Sequence, residues 1–362
     1  MGEKESVAIL TGGGDCPGLN AVIRAIVTSA LQAGLNIYGI RDGFGGLIED
    51  KFKLLQLEDV ADILARGGTI LGTTNRDNPF HYAVHTAKGI VFEDRHQVVI
   101  ENLRKHNIKM LFTVGGDGSL KIASELAKVG VQVIAVPKTI DNDISGTERT
   151  FGFDTAMSVA AEALDRLKTT ADSHHRVMVL EVMGRYAGWI ALHAGVAGGA
   201  DCILIPEIPF EREKVFAAIE QRRRAGKKSS LVIVAEGATE VGGELTVARL
   251  VEDSFEKIRL GGVGNKVAEM IEQALKIESR CTVLGYLQRG GTPTPYDRVL
   301  ATRYGVAAFE AYQQGKTNVL VALRDDAIVT VPIDCVADKP RFVDIEGELV
   351  RFARKLGICL GD

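Results

Sequence analysis

The heptapeptide PKTIDND, Pro137–Asp143, sets two carboxylates either side of an asparagine, directly after the apolar run VQVIAV. Paired acids at the end of a buried strand are costly to hold together unless they bind a metal, a substrate or a proton in transit. One of them is expected to be a base. In phosphoryl transfer the attacking hydroxyl must lose a proton, and a positioned aspartate that accepts it is the recurring solution. The competing reading is an Asx-rich turn, which rarely needs so many acids.

Two glycine-rich turns have the composition of phosphate cradles. In GGDGS, Gly115–Ser119, the glycines let the backbone turn tightly after a strand, and Ser119 stands where a helix begins and presents N–H groups. Asp117 suits magnesium, which takes one or two carboxylates plus phosphate oxygens. An ordinary glycine turn capped by Ser119 fits this pentapeptide equally well. In TGGGDCPGLN, residues 11–20, Gly13 and Gly14 can face a phosphate or simply allow close helix–strand packing. Pro17 and Gly18 break the G-x-G-x-x-G spacing, which speaks against a dinucleotide fingerprint. Arginine joins small residues in EVMGRYAG (181–188) and LGYLQRGGTP (284–293), where Arg185 and Arg289 offer planar forks for phosphate. Arg176 and Arg280 each lie nine residues before one of these.

The elements that must position these residues are legible as short β-branched runs at 7–10, 110–114, 131–136, 177–182, 202–206 and 231–236. They predict strands buried on both faces of a parallel sheet. Amphipathic stretches at 19–31, 120–128, 156–169 and 212–224 predict crossover helices, and the alternation predicts an α/β doubly wound architecture. In such sheets ligands sit beyond the carboxyl ends of strands, where the acidic and glycine-rich turns fall. A soft boundary near residue 150 is expected, with residues 76–96 as a long surface connection before a helix at 97–106. The tail beyond 320 predicts a strand pair packed on the second domain and a helix near 346–356. The basic run RRRAGKK at 222–228 reads as a solvated helix end, with an anionic effector as the alternative.

The 362 residues, 46% hydrophobic and 25% charged, suffice for two packed domains. A net charge of -4 gives no basic field for nucleic acid or an anionic membrane, so bound anions must be caught by local geometry. No secretory segment or membrane span is predicted, and a cytoplasmic location is expected. Five scattered cysteines without a C-x-x-C pair read as reduced thiols.

Taken in order, GGDGS, PKTIDND, EVMGR, AEGA and LQRGG closely resemble the phosphofructokinase A family over nearly all of residues 5–310. The resemblance implies two similar doubly wound, three-layer α/β domains with mainly parallel sheets and the active site in the cleft between them. The domain expectation is 1–150 for the nucleotide, completed by about 265–315, and 151–264 for the sugar phosphate, completed by about 316–362. It implies Asp141 as catalytic base, with Lys138 beside it, and Thr139 and Asp143 along the sugar and the transferring phosphoryl. Asp117 is implied as the Mg2+ ligand; Gly14, Arg76, Gly118 and Ser119 as donor contacts. Met183, Gly184, Arg185 and Glu236 are implied as sugar contacts, and Arg289 and Tyr286 as partners of the sugar phosphate. Tyr286 stands where bacterial ATP enzymes commonly have histidine. Arginines at the positions of Arg176 and Arg280 reach across from a neighbouring subunit in the family, which implies a homo-oligomer, tetramer or dimer.

The implied reaction is transfer of a phosphoryl group to the 1-hydroxyl of fructose 6-phosphate. Gly118 resembles the ATP-dependent members, because pyrophosphate-dependent ones carry an aspartate there that would repel the nucleotide α-phosphate. Lys138 resembles the pyrophosphate group and a mixed subgroup that includes ATP users with glycine at the first site. A carboxylate against an α-phosphate excludes ATP, whereas a lysine is compatible with either donor, so ATP is expected. The alternatives are a pyrophosphate-dependent phosphotransferase and a catalytically silent regulatory subunit, which would be expected to have lost Asp141 or Asp117. An NAD-kinase-like enzyme shares the GGDG turn but not the TIDND, MGR and QRGG clusters.

Overall fold

The computed structural model describes residues 5–87, 89–251, 258–337 and 339–362. The chain opens with β1 (Ser6–Thr11), α1 (Leu19–Gln32), β2 (Asn36–Ile40), α2 (Gly43–Ile48), β3 (Phe52–Leu54) and α3 (Leu57–Val60). A hairpin of β4 (Tyr82–Thr86) and β5 (Gly89–Glu93) precedes α4 (His96–Lys105), β6 (Ile108–Gly115), α5 (Asp117–Lys128) and β7 (Val133–Pro137). The middle of the chain forms α6 (Phe153–His174), β8 (Val177–Val182), α7 (Trp189–Ala197), β9 (Cys202–Leu204), α8 (Arg212–Arg224) and β10 (Ser230–Ala235). There follow β11 (Val247–Leu250), β12 (Ile258–Leu260), α9 (Val263–Leu275), β13 (Ser279–Val283), α10 (Pro295–Gln313), β14 (Val319–Arg324), β15 (Ala327–Pro332) and α11 (Glu348–Lys355).

Two sheets organise these elements. One has seven strands in the order β15-β14-β7-β6-β1-β2-β3, the other four in the order β13-β8-β10-β9. Pairing is parallel except where β2 meets β3 and β14 meets β15, at the edges of the larger sheet. Alternating side chains explain why both sheets are covered twice. Val7 and Ile9 point into a central core, while Ala8 and Leu10 point to the opposite face with α2, α4 and α5. On the smaller sheet Met178 and Leu180 join the same central core, while Val177 and Val179 pack with α8 and α9. Helices α1, α6, α7 and α10 therefore fill the space between the sheets.

Four features depart from the sequence expectations. The connection at 76–96 contains the β4–β5 hairpin, whose mostly exposed strands carry no hydrophobic period to reveal it. Helix α6 runs from Phe153 to His174 rather than over 156–169, because Gly152 at φ 93° starts it and His175 at φ 58° ends it. The tail does form a strand pair, but β14 joins β7 in parallel through Val319↔Ile134 and Leu320↔Ala135, so the pair extends the first sheet and not the second. Segment 265–315 likewise divides: α9 packs on the second sheet and β13 belongs to it, while α10 lies on α1. Helix α11 returns to α7, and the backbone at Cys359 pairs in parallel with that of Cys202 on β9, both thiols being free.

The α1–α10 contact needs a residue without a side chain. A Cβ at Gly305 would stand 2.6 Å from Ala25 Cβ and 2.9 Å from the Val22 carbonyl. Gly305→Ala should therefore push the helices apart and lower stability by about 1–3 kcal/mol in urea unfolding, with the strand pairing unchanged.

Candidate active site

A cleft of about 1040 Å³ opens beyond the carboxyl ends of β1, β6, β7, β8 and β10. Its floor on the first sheet is made of three turns. Gly12 takes the Val114 carbonyl and Gly13 the Thr74 carbonyl through their N–H groups, and Thr73 Oγ1 donates to Gly13 O at 2.6 Å. The GGDGS turn lies alongside, with α5 beginning at Asp117. A Cβ at Gly115 would stand 2.2 Å from Ser119 Cβ, so the missing side chain is what lets the N-terminus of α5 close onto the strand ends. Asp117, Gly118 and Ser119 face the cleft from the positive end of that helix dipole.

The third turn is 138–143. Lys138, 3% exposed, sends its ammonium group back to the Gly14 carbonyl and ties this turn to the first one. Burial pushes its pKa down. Asp141 N donates to Thr139 Oγ1 at 3.0 Å, and Thr150 holds Thr139 O and Asn142 Oδ1. Asn142 sits at φ 54°, which an asparagine tolerates and which sends Asp141 and Asp143 apart along the turn. One buried oxygen of each, Oδ1, has no partner, as expected of groups that await a ligand.

The second sheet supplies the opposite wall. Arg185 occupies φ 52°, and its N–H donates to Glu236 Oε1 at 3.1 Å. Met183 N donates to Gln288 Oε1 at 2.7 Å, which joins this turn to the segment that bears Tyr286 and Arg289. Arg289 crosses to the first sheet, where Nη1 donates to Asp15 O at 3.3 Å and would lie 2.6 Å from a Cβ at Gly14. Burial, with the Asp141 charge second, pushes Glu236 up to about 7. The same two causes raise Asp143, against a smaller opposing pull from Arg185.

A family profile described as Phosphofructokinase matches residues 6–312. This chain belongs to the phosphofructokinase family. It is 49% identical over 361 residues to the ATP-dependent 6-phosphofructokinase 2 of Clostridium perfringens, covering 99% of each chain. It is 48% identical over 328 residues to the pyrophosphate–fructose 6-phosphate 1-phosphotransferase of Amycolatopsis methanolica, covering 90% of this chain and 93% of that one. Among solved structures, Pichia pastoris phosphofructokinase in the T-state superposes with a TM-score of 0.80 at 31% identity, over 93% of this chain and 36% of that longer one.

The phosphofructokinase cleft brings together Gly14, Arg76, Asp117, Gly118, Ser119, Lys138, Thr139, Asp141, Asp143, Met183, Arg185, Glu236, Tyr286 and Arg289. Gly184 lies in the same turn, at φ 141°, without lining the cleft. Arg176 and Arg280 stand at the start of β8 and on β13, away from the cleft, and both pair with Glu278. Four contributors escaped the sequence reading. Glu181 lines the cleft and caps α9 by accepting N–H groups from Gly262 and Gly264; a lone acid inside VMVLEV was its signal. Gln288 and the Thr73–Thr74 pair act through backbone contacts that no motif announces. Arg341 donates its N–H to Asp143 O at 2.7 Å and Nη1 to Asn142 O at 3.3 Å, while its guanidinium lies 4.1 Å from the Trp189 ring centroid.

Because Glu236 keeps its proton in the folded chain up to about pH 7 but loses it near 4.5 when unfolded, stability falls as pH rises across that window. Asp143 adds to the same slope. Glu236→Gln retains an acceptor for Arg185 N and should flatten the profile, with a gain of roughly 1–3 kcal/mol at pH 8 and little at pH 4.5, read by urea melts across pH.

Proposed function

We propose that this chain is an ATP-dependent 6-phosphofructokinase that moves the terminal phosphoryl group of ATP to the 1-hydroxyl of fructose 6-phosphate in the cytoplasm. The observation that carries the reading is the placement of Asp141, with an unpartnered buried oxygen, across the cleft from Arg185 and Glu236 and beside the glycine turns at the start of α5. In this reading Asp141 accepts the proton of the attacking hydroxyl, and the loop held by Thr139, Thr150 and Arg341 keeps it in line. Lys138 and the α5 N-terminus meet charge on the transferring phosphoryl, Arg185 and Met183 orient the sugar, and Glu236 receives a sugar hydroxyl. Tyr286 and Arg289 take the sugar phosphate.

Among the described residues no cluster of three or more His, Cys, Asp and Glu side chains forms a closed metal site. That suits magnesium, which keeps waters and is bound by one or two carboxylates together with substrate phosphates. Asp117 is the residue that would hold it, and the ion would neutralise charge on the donor. Arg176 and Arg280 face away from their own cleft, which supports a role in a neighbouring subunit's site and hence a homo-oligomer, tetramer or dimer.

Pyrophosphate as donor is the second reading, favoured by Lys138 and by the Amycolatopsis relative. Gly118 at the second position of α5 favours ATP, since it places no carboxylate beside the donor. A coupled assay for fructose 1,6-bisphosphate with magnesium should give turnover with ATP and not with pyrophosphate; the reverse result transfers the assignment to the pyrophosphate enzyme, and none with either restores the silent subunit. Asp141→Asn should lower kcat by about 10²–10⁴-fold with little change in sugar binding. Gly118→Asp should abolish ATP use while leaving the fold intact by circular dichroism.

A further inference from the structure

All five cysteines are free thiols, and two of them meet far from the cleft. The segment after α11 runs parallel to β9, the edge strand of the second sheet: Cys359 N donates to Asp201 O at 3.0 Å, and Ile203 N donates to Cys359 O at 2.8 Å. That ladder sets Cys359 directly opposite Cys202. Neighbouring strands lie about 4.7–4.9 Å apart, inside the Cα separations of about 4.4–6.8 Å over which a disulfide closes. The two thiols already hydrogen-bond one another.

The pair is unequal. Cys202 is fully buried and packs with Leu204, Phe210 and Val215 under α8, whereas Cys359 is half-buried at the margin of that core. The Cys359 sulfur receives the S–H of Cys202 and the N–H of Gly361, and while it keeps its own proton it donates to Lys214 O at 3.7 Å. The Cys202 donation, helped by Gly361 and by the charge of Lys214, holds the Cys359 pKa below the usual thiol value against burial and Asp362. The same bond and then burial drive Cys202 the other way. Cys16 and Cys281 are raised by burial. A buried cysteine is most often a small apolar filler, and Cys202 by itself would be read so. Here it faces a second sulfur that is open to solvent and disposed to ionise.

We propose that Cys359 and Cys202 are a peroxide-reactive pair, in which Cys359 takes the first oxidation and Cys202 resolves it into a disulfide that staples the C-terminal segment to β9. The Cys359 thiolate attacks one oxygen of hydrogen peroxide; the O–O bond breaks, the sulfur becomes a sulfenic acid, and the leaving hydroxide takes up a proton as water. The Cys202 sulfur then attacks the Cys359 sulfur, the S–O bond breaks, and the Cys202 proton leaves with the hydroxyl as a second water. Two thiols lose two electrons and two protons, and one peroxide becomes two waters. A small dithiol reverses the bond by exchange, as suits a transient disulfide in a reducing compartment.

The Cys335→Ser chain, which lacks the exposed thiol, is treated with hydrogen peroxide and mapped without reduction. The expected result is a peptide joining Cys202 to Cys359, a chain lighter by two hydrogen atoms, and a urea midpoint raised until dithiothreitol is added. Cys202→Ala should leave a Cys359 sulfenic acid that dimedone traps, and Cys359→Ser should leave Cys202 a thiol at the same dose. Oxidation of Cys359 without the cross-link, no oxidation of either residue, or a cross-linked chain whose midpoint does not rise overturns the staple. Oxidation of Cys202 in the Cys359→Ser chain overturns the order of attack. If either of these variants melts early, the map of the Cys335→Ser chain decides alone, since it keeps both partners.

Discussion

A buried ammonium group holds three turns at the floor of the cleft in one frame. Lys138 leaves the end of β7 and reaches the Gly14 carbonyl, while its own N–H reaches the Gly115 carbonyl, so three turns from three adjacent strands share one residue. Burying a cation is unfavourable, and its depressed pKa records that cost. The arrangement is tolerable because carbonyl dipoles and the Asp141 charge answer it. Gly12, Gly13 and Gly14 then gain their purpose: their carbonyls and N–H groups must lie within reach of Lys138, Thr73 and Ser119, and a side chain at Gly12 or Gly14 would collide with Ser119 or Arg289.

Against this frame two acids of the cleft, one on each wall, sit in surroundings that disfavour their charged form. Burial, with the Asp141 charge second, raises both Glu236 and Asp143. The strain is contained by polar contacts from outside the cleft. Arg341 holds the loop of Asp141 by its backbone and its guanidinium, and Trp189 holds Arg341, with indole Nε1 donating to its carbonyl at 3.0 Å. A residue almost two hundred positions away in the chain thus completes the geometry of the acidic turn.

Legibility in the sequence followed locality. Turns such as GGDGS and PKTIDND were readable because their chemistry is carried within seven residues, and most of the residues named from them meet in the cleft. The fold class followed from buried β-branched runs. Pairing was not readable, because alternation in 319–332 marks a strand pair without saying which sheet completes it. The Glu181 cap, the Gln288 contact and the Arg341 anchor each join positions separated by more than eighty residues, and only the folded chain brings them together. The β4–β5 hairpin and the β11–β12 ribbon are mostly exposed, and their apolar residues, Val91 and Leu250 among them, have no buried face whose period would betray them.

The route of the chain between the two sheets has a mechanical meaning. It passes from first to second between β7 and β8, returns between β13 and β14 by way of α10, and passes over again between β15 and α11. A body joined by one strand can swing freely, but one joined at three separate places has few axes left about which to turn. Opening and closing of this cleft should then be a shallow sliding of α6, α7 and α10 across their shared core rather than a wide swing.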